Sequence, residues 1–292
     1  MTTVMPRSEG QNAGTNGAAT AVSAVGPSDL RADRISKAFQ AGRVPAVSDV
    51  SLTVGAGEFV SLVGPSGCGK STLFNILAGL IGPDEGRVML GEGDVTGQTG
   101  HVGYMLQRDL LLPWRTVLDN VVLGQDVRGI PRTTSYAEAR TLLGRFGLLQ
   151  HEKLFPAALS GGMRQRSAMI RTILYGSPIL LLDEPLSALD AQTRLLMQEW
   201  LLEVWSSLGS SVFYITHDLE EAIALADKVV VMTAGPGGTV KAVFPIDLPR
   251  PRVVQEIRFQ KRFVDLYQQI WEALREEVDI AYSQTTSAES AA

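Results

Sequence analysis

Two kinds of apolar pattern alternate along the chain. Short, nearly continuous apolar runs occur in FVSLV, ILLLDEP, SVFYITHD and KVVVM, and each stops at a turn or a polar residue. Such runs suit strands buried on both faces, whereas strands with one wet face alternate apolar and polar positions. Between them, apolar residues recur at three- and four-residue steps, the spacing of one face of a helix. The first of these units reads as a strand at 59–63, a glycine-rich turn, then a helix over 71–80 stopped by Gly82-Pro83. HVGYMLQ, at 101–107, predicts another short strand ending in a polar residue. From 114 to 175 no strand pattern occurs and helical patterns follow one another, so a helical segment interrupts a sheet. After it come a strand, a helix near 190–208, a strand, a helix reaching 226, and a last strand. Strands alternating with helices predict a parallel sheet covered on both faces, with ligands at the carboxyl ends of the strands. Gln107, Asp183, Glu184 and His217 fall at those ends. Near the C-terminus, Phe259, Phe263, Leu266, Ile270 and Leu274 form the packing stripe of one amphipathic helix.

Composition narrows the picture. With 292 residues, 45% of them hydrophobic, the chain can bury a substantial core. The net charge of −5 supplies no basic face, so nucleic acid is not an expected partner. Cys68 is the only cysteine, which excludes an intrachain disulfide and fits a reducing compartment. No apolar run approaches the ~18 residues of a membrane span, so work at a membrane would need spans from other chains. Residues 1–29 are rich in Gly, Ala, Ser, Thr and Asn and are expected to form a disordered tail. Residues 18–25 hold no Leu, Ile or Phe, too weak a pattern for a signal peptide.

Several short motifs carry chemistry. GPSGCGKS, formed by Gly64, Pro65, Ser66, Gly67, Cys68, Gly69, Lys70 and Ser71 with Thr72 following, matches G-x-x-x-x-G-K-[ST] between a strand and a helix. Its backbone N–H groups curl round phosphates, Lys70 brings a point charge to the β and γ phosphates, and Ser71 ligates Mg²⁺. In ILLLDEP, Asp183 is the expected Mg²⁺ residue, and Glu184 follows it as a candidate base that polarises a water. His217 ends the next strand, where it can bind the γ phosphate or hold the attacking water. The amide of Gln107 can orient water or metal at its strand tip. His101 and His151 lack such placement. LSGGMRQR, at 159–166, opens a helix with Ser160 as N-cap and the N–H groups of Gly161, Gly162 and Met163 turned toward an anion. Since one phosphate loop already wraps its ligand, this second helix start points to a ligand held by another molecule.

Together these motifs resemble the ATP-binding cassette (ABC) ATPases, and LSGGMRQR looks like that family's signature. The phosphate loop, Gln107, LSGG, LLLDEP, SALD and THD occur in the family's order and spacing from about residue 30 onward. The resemblance implies an α/β P-loop NTPase cassette over 30–252, with a mainly parallel core sheet and an antiparallel β subdomain. It also implies an inserted helical subdomain near 114–176 and a C-terminal helix and tail over 253–292. It implies ATP and Mg²⁺ as cofactors, with Ser71, Gln107 and Asp183 at the metal. Phe39 stands where the family stacks an aromatic on adenine. Two copies would pair head to tail, each ATP clasped between one phosphate loop and the partner's Ser160, Gly161 and Gly162, with Asp190 signalling across the dimer. In the family's transporters the helical subdomain and the Gln107 loop dock membrane permease subunits.

RDLLLPWRTVLDNVVLG and DLPRPR further resemble the ATPase subunits of bacterial nitrate, sulfonate and taurine importers. That group implies a separate periplasmic solute-binding protein and a peripheral place on the cytoplasmic face of the cell membrane. The departures are a long N-terminal tail and Leu106, where Phe is common. Two other functions compete: a non-transport ABC ATPase that remodels a complex, and a module that grips ATP without hydrolysing it. Family members of the first kind carry paired cassettes, coiled-coil insertions or basic extensions, and the sequence has none of these; Glu184 and His217 oppose the second. Cys68, near a helix start and Lys70, has two readings: a reactive thiolate that bound ATP shields, or a small residue tolerated at a variable loop position. The transported solute cannot be read from a chain that never touches it.

Overall fold

A computed structural model describes residues 28–39 and 45–289. The expected disordered tail lies outside the described residues up to residue 27. Among the described residues ten strands form two sheets. Along the chain they are β1 (Leu30–Lys37), β2 (Val47–Val54), β3 (Phe59–Val63), β4 (Glu85–Leu90) and β5 (Gly93–Asp94). They continue with β6 (Gly103–Met105), β7 (Ile179–Asp183), β8 (Ser211–Ile215), β9 (Lys228–Met232) and β10 (Val240–Pro245). The smaller sheet is antiparallel in the order β2-β1-β4-β5, and β1 and β2 alternate buried with exposed positions, as a sheet with one wet face requires. The larger has the order β10-β9-β3-β8-β7-β6 and is parallel from β9 to β6, with β10 antiparallel at one edge. Every residue of β3, β7 and β8 is buried, which explains their continuous apolar sequences.

Helices cover this sheet. α1 (Lys70–Leu77) follows β3 and buries Leu73, Phe74, Ile76 and Leu77. Its Phe74 ring rests on Phe213 of β8, 4.8 Å between centroids, a contact worth roughly 0.5–1.5 kcal/mol that seats the helix start over the sheet. Between β6 and β7 lie α2 (Val117–Val121), α3 (Leu123–Val127), α4 (Arg132–Arg145) and α5 (Gly161–Leu174), with no strand among the described residues there. α6 (Ala191–Leu208) links β7 to β8, and α7 (Leu219–Leu225) links β8 to β9. α8 (Val254–Ile257) and α9 (Lys261–Glu289) end the chain. Ahead of α8, the buried Arg252 donates to the carbonyl oxygens of Ala226 at 2.6 Å and Ala224 at 3.1 Å, anchoring PRPR to the end of α7.

Three elements differ from the sequence pattern. The strand expected over 101–107 shortens to Gly103–Met105, so Gln107 stands in the loop beyond it. The helix expected over 71–80 ends at Leu77, because Gly79 turns into the left-handed region at φ 73°. The single C-terminal helix is two: Phe259 falls in the break, 82% exposed, while Phe263, Leu266, Ile270 and Leu274 are buried as expected. None of the described helices is long and apolar enough to cross a membrane.

Candidate functional site

β3 runs straight into the phosphate loop, and α1 begins at Lys70. Gly69 caps that helix at φ 95°, and a Cβ there would lie 2.5 Å from the Ala46 carbonyl oxygen, so only glycine fits. Lys70 is almost fully buried. Its Nζ donates to the carbonyl oxygens of Gly64 at 2.9 Å and Pro65 at 2.8 Å, holding the loop closed on itself. A cleft of about 320 Å³ opens above it. Ser66, Gly67, Gly69, Lys70, Ser71 and Thr72 line one side, and Gln107, Glu184 and His217 face them.

That facing trio comes from the carboxyl ends of the neighbouring strands β6, β7 and β8. Glu184 is the residue after β7; its N–H donates to the Ile215 carbonyl oxygen at 3.0 Å, and its φ of 50° turns the backbone sharply out of the strand. Gln107 Nε2 donates to Glu184 Oε2 at 3.1 Å, and His217 Nε2 pairs with Glu184 Oε1. The carboxylate is thereby shared between two side chains at the mouth of the cleft. Such a group, once released toward a bound phosphate, can accept a proton from a water.

Asp183, the last residue of β7, is 3% exposed. Burial pushes its carboxyl above the usual carboxylate range, while a hydrogen bond with Ser71 and the nearby Lys70 pull the other way. Its Oδ1 is buried without a partner among the described residues. An unpartnered carboxylate oxygen beside a hydroxyl is a hard oxygen donor set, and it fits Mg²⁺, which takes few protein ligands and completes its shell with phosphate and water.

The remaining expected residues lie elsewhere. Ser160 caps α5, its Oγ accepting from Met163 N–H at 3.3 Å. Neither it nor Gly161 or Gly162 lines the phosphate-loop cleft. Gly161 borders a second cleft of about 380 Å³, beside Arg108, Asp109, Arg164 and Ala188. Gly162 packs so closely on the loop after β7 that a Cβ would stand 2.8 Å from Leu189 Cδ2. Asp190 caps α6, accepting from Thr193 N–H at 3.0 Å, a bond that holds its carboxyl below the usual range. Phe39 is 63% exposed just past β1. His101 Nε2 pairs with the Leu77 carbonyl oxygen at 2.8 Å, away from the cleft.

The reactive-thiolate reading of Cys68 is overturned. The thiol is fully buried, and burial pushes it up, outweighing the attraction of Lys70. Gly64 packs against the sulfur, a Cβ there standing 3.0 Å from Cys68 Sγ, and Lys70 Nζ donates to the same atom at 3.6 Å.

Two supporting residues escaped the sequence. Asp218 and Glu221 have the spacing of a capping box, yet only Asp218 caps α7, accepting from Glu221 N–H at 3.1 Å. The Glu221 carboxylate turns inward to Thr216 and to Gln198 Nε2 at 3.0 Å, bracing the loop that carries His217. Gln165 is the other; a polar residue on an amphipathic helix gives no sign of being inside. A larger cavity of about 600 Å³ lies behind His217, against Tyr267, Trp271 and Leu274 of α9, and no phosphate-loop residue lines it.

A family model described as ABC transporter matches residues 47–187. An uncharacterized ABC transporter ATP-binding protein of Methanocaldococcus jannaschii is 43% identical over 232 residues, 79% of this chain and 86% of that protein. The taurine import ATP-binding protein of Chromobacterium violaceum is 43% identical over 244 residues, 82% of this chain and 94% of its own length. A bacterial ABC transporter cassette solved as a dimer superposes with a TM-score of 0.67 at 27% identity, covering 75% of this chain and 100% of that one. The same cassette with ADP and Pi, in a post-hydrolysis state, gives a TM-score of 0.66 at the same identity and coverage.

Proposed function

We propose that this chain, which belongs to the ABC transporter family as an ATP-binding ATPase subunit, energises a bacterial importer for a small sulfonate-, taurine- or nitrate-type solute. The observation that carries the catalytic assignment is the meeting of Gln107, Glu184 and His217 opposite Lys70 and Ser71 across one cleft. The taurine-import relative supports the solute class.

The chemistry follows from these residues. Lys70 exchanges the carbonyl oxygens of Gly64 and Pro65 for β and γ phosphate oxygens, which return more charge-assisted hydrogen bonding than neutral carbonyls do. Asp183 and Ser71 would hold Mg²⁺, which supplies charge neutralisation on the phosphates. Gln107, bonded to Glu184 across the cleft, would help hold that metal or orient the attacking water. Glu184 accepts a proton from the water as its oxygen bonds to the γ phosphorus; the bond to the bridging oxygen breaks, and its electron pair leaves with ADP. His217 then holds the γ phosphate side of the cleft. Phe39 offers an exposed ring for adenine.

Gly161 borders a different cleft from that of its own phosphate loop, and Ser160 and Gly162 do not line the phosphate-loop cleft, so we assign all three to the ATP of a second copy in a head-to-tail dimer, with Asp190 at the seam. The dimeric state of the solved cassette supports this pairing. The permease contact falls on the helical segment. There Leu110, Trp114, Leu154 and Phe155 are exposed, and Leu154 is tied to the start of α2 by a hydrogen bond from Val117 N–H. Exposed apolar side chains gathered at one edge mark an interaction surface. The chain would therefore sit peripherally on the cytoplasmic face of the membrane, with a periplasmic solute-binding protein acting through the permease. We take 30–252 as the cassette, about 114–176 as its helical subdomain, and 253–292 as an appended helix and tail.

ATP turnover of Glu184→Gln beside the wild type tests the assignment. Loss of general-base help predicts a fall of roughly 10²–10⁴-fold, with ATP binding and ATP-dependent dimers retained. Normal hydrolysis by Glu184→Gln would overturn it.

A further inference from the structure

α5 starts at the second cleft and runs beneath both loops that carry Gln107 and Glu184, and its side chains grip them. Gln165 is 5% exposed and has all its main hydrogen bonds satisfied inside the protein. Its Nε2 donates to the Glu184 carbonyl oxygen at 3.0 Å and to Ser187 Oγ at 3.3 Å, while its Oε1 accepts from Ala188 N–H at 3.0 Å. Two turns along, Arg171 donates to the carbonyl oxygens of Leu110 at 2.8 Å and Asp109 at 2.6 Å, and Arg164 Nε donates to Asp109 Oδ2 at 3.1 Å.

The two gripped loops share a second feature. Glu184 and Leu110 are non-glycine residues in the left-handed region, at φ 50° and 45°. Such conformations are strained and persist only where the surroundings over-determine them. In each case the carbonyl of the strained residue is the group that an α5 side chain holds. A hydrocarbon of the same size would fill the Gln165 site, but it would leave the Glu184 carbonyl held only from within its own loop, by Ser187 Oγ at 3.0 Å and the Ser187 N–H at 3.3 Å, and would leave the Ala188 N–H unpaired.

We infer that Gln165 is a positioning residue for Glu184, and that it ties the signature helix to the catalytic carboxylate of its own chain. The helix whose N-terminus faces the partner's ATP thus sets the backbone angle of the base that serves its own. Closure of one site is transmitted to the other through one buried amide. The inference rests on Glu184 being the base.

Two substitutions test it. Gln165→Met keeps the length and removes every hydrogen bond, whereas Gln165→Glu keeps the shape and the acceptor for Ala188 but loses the donor to Glu184. Misplacing the base predicts a roughly ten- to hundredfold fall in kcat for both, with KM for ATP within about twofold. Each substitution, combined with Glu184→Gln, should still form ATP-dependent dimers. Wild-type turnover in either variant overturns the inference, and so does a loss of dimers that matches the loss of turnover, which marks mere structural damage. If Gln165→Met fails to fold, Gln165→Glu is read by the same criteria. Inactive Glu184→Gln beside active Gln165 variants removes this inference alone; active Glu184→Gln removes the base assignment and this inference with it.

Discussion

Two helix starts in this protein carry glycine and face a cleft, and they differ in what surrounds them. α1 starts at Lys70 behind Gly69 with no side-chain cap, and its cleft holds the Lys70 ammonium, the Ser71 hydroxyl and the carboxylate of Glu184. α5 starts behind the Ser160 hydroxyl, and its cleft holds no lysine and no unpartnered buried carboxylate among the described residues. Both offer backbone N–H groups and a favourable dipole to an anion. Only the first sets a lysine and a hydroxyl opposite a carboxylate and an imidazole; the second has Arg108, Arg164 and Asp109 beside it. The contrast teaches that similar helix starts are told apart by the side chains that face them.

The comparison breaks most visibly at Lys70. Lys70→Ala should weaken ATP binding by the monomer about 10- to 100-fold, the worth of its charge-assisted bonds. Turnover should fall by roughly 10²–10³, as for other donors aimed at transition-state charge. Equilibrium binding and steady-state hydrolysis measure the two. Gly162→Val should behave differently. Its side chain collides with Leu189 and so displaces the start of α5, and turnover should fall by about 10²-fold while monomer binding stays within about twofold. If Gly162→Val weakened monomer binding as much as Lys70→Ala, the shared-site assignment would fail.

Smaller effects sharpen the same contrast. Ser160→Ala removes the only side-chain cap of α5 and should cost about 1 kcal/mol, a fall of roughly 2 °C in the melting temperature of the monomer. No such cap exists on α1 to remove. The smallest effect is expected at Cys68. Alkylation of the folded protein should be slow with and without ATP, because the thiol is buried and held protonated. Fast labelling that ATP suppresses would restore the reactive-thiolate reading.

Much of the architecture was legible because buried parallel strands write themselves as apolar runs. FVSLV, ILLLD and SVFYI are entirely buried in β3, β7 and β8. The boundaries that failed did so where backbone geometry overrides side-chain pattern. Gly79 ends α1 by its positive φ, and Phe259 keeps the apolar spacing of its helix while lying in the break before α9. At Cys68 a helix start and a nearby lysine are visible in sequence, whereas the burial of the thiol is decided by the fold around it. Gln165 and Glu221 were missed for the same reason, since a polar residue on a helix declares neither its burial nor its partner.

The sequence by itself determined the phosphate loop, the capped start of α5 and the acids at the end of β7. Each of these depends on contacts among near neighbours in the chain. Tertiary structure alone decided that Gln107, Glu184 and His217 converge, since the order β8-β7-β6 brings together loops that are far apart along the chain. It also decided that Ser160 and Gly162 lie outside the phosphate-loop cleft of their own chain while Gln165, five residues on from Ser160, turns inward to the Glu184 carbonyl. Residues near each other in one motif thus meet different neighbours, and only packing shows which.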